Sequence, residues 1–85
     1  MRLIFAAEAW DDYLYWQAED KGMVRRINDL IKAIKRDPFS GIGKPEPLKH
    51  ALSGFWSRRI TEEHRIVYKL EGEDALLIAQ LRYHY

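Results

Sequence analysis

At 85 residues without cysteine, the chain is one domain near the lower size limit for folding, with no disulfide framework or thiolate-bound metal to assist it. Its 47% hydrophobic and 13% aromatic content supports a small dense core and excludes a disordered chain, and no apolar run nears the roughly 20 residues of a membrane span. The net charge of +1 hides an uneven distribution: residues 1–20 hold one basic residue against five acids (−4), residues 21–69 twelve against five (+7), and residues 70–85 one against three (−2).

The basic middle suits a phosphate-rich partner, although Lys and Arg on solvated helix faces give the same count. The N-terminus Met1-Arg2-Leu3-Ile4-Phe5 is unlike a secretory signal, so a soluble cytoplasmic protein is expected.

In chain order, Leu3-Ile4-Phe5 predicts one brief strand. From about Ala7 to Asp20, Trp10, Tyr13, Leu14 and Gln17 fall on one helix face, with a break expected at Gly22. A second helix carries a core stripe of Met23, Ile27, Leu30, Ile31 and Ile34 and a basic outer face, and Asp37-Pro38 ends it. Pro38 to Pro47 reads as a loop in which two prolines bracket Glu46 and hold its carboxylate on stiff backbone. Three strands follow, over Phe55–Thr61, His64–Leu70 and Ala75–Tyr83, with turns short enough to make neighbours antiparallel. The expected architecture is α+β, two helices packed on one face of a small antiparallel sheet in a single domain over residues 1–85.

Alternation assigns faces to the strands. Ile66, Tyr68 and Leu70 in the middle strand, and Leu77, Ala79, Leu81 and Tyr83 in the last, are the expected core set. Arg59, Arg65, Lys69, Arg82 and His84, together with Ile78 and Gln80, then share the opposite face, unless a bulge shifts the register. Arg58 falls on the core side without a pattern-level reason.

Metal ligation has no support, because His50, His64 and His84 are widely separated and no acidic cage exists. Gly41-Ile42-Gly43-Lys44 is too short for a phosphate loop, and Ser40, Ser53 and Ser57 lie in no nucleophile elbow. Cleavage of RNA remains open, since RNA supplies its own 2′-OH nucleophile and asks the protein only for a base, an acid and cations. Glu46, His84 and Arg65 can fill those parts, and a Tyr83-His84-Tyr85 tail can stack on bases; a solvated terminal histidine is the plain alternative.

The string Lys44-Pro45-Glu46-Pro47-Leu48-Lys49-His50, the block Leu52-Ser53-Gly54-Phe55-Trp56-Ser57-Arg58-Arg59-Ile60-Thr61-Glu62-Glu63-His64-Arg65, and the ending Arg82-Tyr83-His84-Tyr85 resemble the YoeB family of RelE-like bacterial toxins. Trp10-Asp11-Asp12-Tyr13-Leu14-Tyr15-Trp16-Gln17 fits as well, so the resemblance covers essentially the whole chain. It implies a RelE-like fold and a ribosome-dependent mRNA endonuclease acting in the A site of the small subunit, with no cofactor. It places the general base on Glu46, the general acid on His84, the phosphate-stabilising cation on Arg65 and an RNA-holding tyrosine on Tyr85. Lys49 and Arg59 match basic positions read as phosphate-binding, and Arg82 joins them as an RNA-binding residue. Implied partners are mRNA, ribosomal RNA, a YefM-like antitoxin and a second copy of the chain, with no membrane. A basic module that stalls translation without cutting, or a regulator active only with its partner, are the competing readings.

Overall fold

The computed structural model describes residues 1–83. Strand β1 (Arg2–Phe5) is followed by helices α1 (Ala7–Glu19) and α2 (Lys21–Arg36) and then by a two-residue strand β2 (Glu46–Pro47). A 3-10 turn (His50–Leu52) leads into strands β3 (Trp56–Arg59), β4 (Arg65–Glu71) and β5 (Ala75–Gln80). The sheet runs in the order β1-β5-β4-β3-β2, so the α+β architecture holds. Strands β2 to β5 pair antiparallel as the short turns require, whereas β1 joins β5 in parallel and makes the sheet mixed. Among the described residues, no helix is long and apolar enough to cross a membrane.

Helix α2 follows its pattern, with Met23, Ile27, Leu30, Ile31 and Ile34 all buried. The break before it lies at Asp20 rather than Gly22. Asp20 is extended, and its carboxylate accepts from the amides of Gly22 at 3.0 Å and Met23 at 3.3 Å, so it caps the helix while Gly22 sits in the first turn. The buried stripe of α1 is also offset from the expected one. Ala9 and Trp16 are buried with Tyr13 packed beside them, while Trp10 and Leu14 are nearly half exposed. Two contacts favour that rotation: the Trp16 indole N–H donates to the Leu81 carbonyl at 2.9 Å, and Trp10 instead stacks with Tyr13 and meets Phe5 edge-on.

Arg58, unexplained by pattern, is fully buried and organises the loop after α2. Its guanidinium donates to the carbonyls of Asp37 (2.6 Å), Ser40 (2.9 Å) and Ile42 (3.1 Å) and to the Tyr68 hydroxyl (3.1 Å). The Tyr68 hydroxyl in turn donates to the Pro38 carbonyl at 2.7 Å, and burial pushes its pKa up against the opposing pull of Arg58, so it stays a donor. The loop lies so close that a Cβ on Gly43 (φ 84°) would sit 2.9 Å from Leu30 Cδ2 and 3.1 Å from the Arg59 carbonyl. One buried cation thus ties residues 37–42 to β3 and β4, and the loop runs straight on into Glu46.

Candidate functional site

Register decides which side chains share a face, because residues directly opposite on paired strands project to the same side. Glu46 is opposite Ser57, Ser57 opposite Val67, and Val67 opposite Gln80. Arg59 is opposite Arg65, two residues along the same face. Glu46, Arg59, Arg65, Lys69 and Gln80 therefore project from the face away from the helices, whose own side holds Ile66, Tyr68, Leu76 and Ile78. The loop expected around Glu46 ends in a strand, which fixes this carboxylate more firmly than two prolines alone.

Alternation fails in β5 for a stated reason. Tyr68 pairs with Ile78 but Val67 with Gln80, so an extra residue bulges the strand there. Ile78 is consequently fully buried in the core instead of facing outward, Leu77 is turned to the opposite face, and Gln80 keeps its expected side. Leu81 is buried as expected, whereas Tyr83 is 54% exposed, not a core residue.

Glu46 is exposed, in a cleft lined with Pro47, Leu48, Lys49, His50 and Leu52. Lys49 precedes the 3-10 turn at the rim of that cleft. Two strand spacings and two residues separate Glu46 from Arg65, roughly 12 Å between Cα atoms, a gap that long side chains can close on a phosphodiester. Arg59 and Arg65 are like charges directly opposed, an unfavourable pair. Among the described residues only Arg59 of the two has a carboxylate nearby, the exposed Glu62 at 3.8 Å. Arg65 is 9% exposed, and its Nη1 donates to the carbonyls of Thr61 (2.8 Å) and Glu62 (2.9 Å). Among the described residues its Nε and Nη2 have no hydrogen-bond partner.

Arg82 lies elsewhere. Its guanidinium stacks 3.6 Å over the Tyr15 ring and 4.7 Å from the Tyr83 ring, Nη2 donates to the Tyr83 hydroxyl at 2.9 Å, and the adjoining cleft is lined by Glu8, Asp11 and Asp12. These surroundings fit a residue that braces the chain end against α1. His84 and Tyr85 lie outside the described residues. Among the described residues, no group of three His, Asp or Glu side chains converges as metal ligands would.

Sequence reasoning overlooked the groups that hold the approach to the tail, Asp12, Trp16 and His64. Each acts on backbone far away in the chain, and local pattern carries no signal for that; an aspartate and a tryptophan on one helix four residues apart were the only hint.

The comparisons agree with this fold. The model of the YoeB-like toxin of bacterial type II toxin–antitoxin systems matches residues 5–85. The toxin YoeB of Escherichia coli K12 is 67% identical over 85 residues, covering all of both chains. A solved YoeB/ParE toxin from Agrobacterium tumefaciens superposes with a TM-score of 0.98 at 53% identity over all of both chains. The YoeB dimer and a YoeB-YefM complex of Staphylococcus aureus superpose at 0.93 and 0.91, with 46% and 45% identity, covering all of this chain and 98% of theirs. The chain belongs to the YoeB-like toxin family and is the toxin of a bacterial type II toxin–antitoxin pair.

Proposed function

We propose that this toxin is a ribosome-dependent endoribonuclease that cuts mRNA in the A site and so stops translation in the cytoplasm. The observation that carries the reading is the register that sets the Glu46 carboxylate and the opposed Arg59–Arg65 pair on one sheet face. A base and a cationic cradle on one rigid surface are what in-line attack by a 2′-OH requires.

In the proposed reaction Glu46 takes the 2′-hydroxyl proton and the 2′-oxygen attacks the adjacent phosphorus. Arg65, with Arg59 and Lys49 on the neighbouring phosphates, offsets the charge of the pentacovalent phosphorane. His84 then protonates the departing 5′-oxygen, leaving a 2′,3′-cyclic phosphate and a 5′-hydroxyl, while Tyr85 holds the RNA by stacking. Arg82 contributes by bracing the chain end rather than by meeting phosphate, as its aromatic stack favours.

The Staphylococcus aureus structures motivate two further assignments, a YefM-like antitoxin that covers the site and a homodimer that buries apolar surface this small chain leaves exposed. Mapping transcript 5′ ends after expression of the chain without antitoxin tests the activity. New ends inside codons at the stalled A site are expected; growth arrest with no new ends would mean a translation blocker, and no arrest would mean a regulator that needs its partner.

A further inference from the structure

Regular pairing of β5 stops at Gln80, yet the next three residues are not loose. The Leu81 amide donates to Asp12 Oδ2 at 3.0 Å and its carbonyl accepts from the Trp16 indole at 2.9 Å. The Arg82 carbonyl accepts from Gln80 Nε2 at 2.7 Å. The Tyr83 carbonyl accepts from the Arg65 amide at 3.1 Å, and the Tyr83 amide donates to His64 Nδ1 at 2.8 Å. Five backbone groups of a short, irregular segment are therefore held by four side chains and one amide. These contacts stand in for a strand ladder that has already ended.

His64 lies at the centre of this clasp. Its ring stands edge-on to Trp16 at 4.8 Å and tilted to Tyr83 at 5.5 Å, so α1, the β3–β4 turn and the tail meet on it. Nδ1 must be unprotonated to accept from the Tyr83 amide, which leaves a ring proton for Nε2, 3.9 Å from Glu63 Oε1. Tyr83 takes φ +61°, a left-handed conformation that a non-glycine residue keeps only when its surroundings impose it. The bond to His64 and the bond from the Arg65 amide bracket that residue on both sides. The same short stretch, His64-Arg65, thus supplies the clamp on Tyr83 and the cation of the proposed site.

We infer that His64 is a positioning residue: its Nδ1 fixes the turn at Tyr83 and so sets the direction in which the chain runs on into the last two residues. The inference rests on the assignment of those residues to catalysis. It separates His64, which touches only protein, from the groups that meet RNA. The peptide before Tyr83 is held through its N–H and the peptide after it through its C=O, so losing the His64 bond frees one of the two planes that define the turn.

Two substitutions isolate the acceptor. His64→Phe keeps an aromatic ring against Trp16 but removes Nδ1; His64→Asn offers an oxygen near the Nδ1 position and restores an acceptor. In ribosome-dependent cleavage, kcat of His64→Phe should fall about 100-fold with KM little changed, the size expected for a misplaced catalytic group, and His64→Asn should recover most of it. In parallel, amide hydrogen exchange of the free toxin should show Tyr83 protected in the parent and in His64→Asn and at least about tenfold less protected in His64→Phe, with an unchanged thermal midpoint. Full activity of His64→Phe, or a Tyr83 amide that stays protected in it, overturns the inference while leaving the cleavage reading intact. A loss in His64→Asn equal to that in His64→Phe, with Tyr83 still protected, overturns it too, since His64 would then act on RNA directly. If the parent toxin cuts no mRNA, the cleavage reading fails by itself, and the exchange data still decide whether His64 holds the turn.

Discussion

Replacing Arg58 by Met removes four hydrogen bonds from a fully buried side chain while keeping much of its volume. Exchanging a buried ion for an apolar group is often neutral when its partners are exchanged as well. Here three partners are the backbone carbonyls of Asp37, Ser40 and Ile42, which no substitution can remove. An unsatisfied buried acceptor costs about 1–3 kcal/mol. These carbonyls are only partly buried, so the low end applies to each, and relief from burying the charge returns a fraction. A net loss of about 2–3 kcal/mol follows, a large share of the stability of so small a domain. At about 4–8 °C per kcal/mol for this chain length, the thermal midpoint should fall by roughly 8–24 °C. Arg58→Lys, which keeps the charge without the fork, should lie between the parent and Arg58→Met. Thermal and urea unfolding with an unchanged m-value measure it. A midpoint for Arg58→Met within about 3 °C of the parent would show that the guanidinium does not hold the loop.

Other perturbations follow from the same contacts. Gly43→Ala meets both a positive φ and a Cβ placed 2.9 Å from Leu30, so urea unfolding should show a loss of at least about 1 kcal/mol; equal stability would mean the loop gives way freely. Trp16→Phe loses the bond to the Leu81 carbonyl, and a stability loss of about 1–2 kcal/mol in urea unfolding should accompany a less protected segment before the tail, whereas parent-like values would sever Trp16 from that segment. The Asp37 carboxylate is held below its ordinary value of 3.8 by the Ser40 hydroxyl first and the Phe39 amide next. A depressed folded-state pKa gives stability that is present above 3.8 and lost as pH falls through the folded value. Asp37→Asn should therefore remove that part of the acid limb in a series of thermal midpoints against pH, and an unaltered limb would contradict it.

Much of this fold is legible because α2 buries one face, and burial of one face writes a period into the sequence. Every residue of the α2 stripe is buried as its spacing predicts. The errors arise where a long-range contact overrules a local pattern. Helix α1 turns so that Trp16 can reach the Leu81 carbonyl, sixty-five residues away. Strand β5 carries a bulge, and one extra residue is enough to send Ile78 into the core while Gln80 stays on the outer face. Strand β1 pairs in parallel with a strand that is distant in sequence, which no turn length announces. The face with Arg59 and Arg65 was legible from alternation, because β3 and β4 pair without interruption along Arg58–Arg59 and Arg65–Ile66, whereas Glu46, read as part of a loop, joins it only through the pairing of β2 with β3. Arg58 and the clasp around Tyr83 were not, since their partners are backbone atoms that carry no residue-specific signal.

The central claim, acid–base cleavage by Glu46 and His84, is met most directly by single-turnover cutting of an mRNA codon in the A site of a reconstituted ribosome complex. With the parent, Glu46→Gln and His84→Ala compared at matched ribosome occupancy, each substitution should slow cleavage by about 100-fold or more, the range for loss of a general acid or base, while binding is retained. Cleavage by both variants at the parent rate would contradict the assignment.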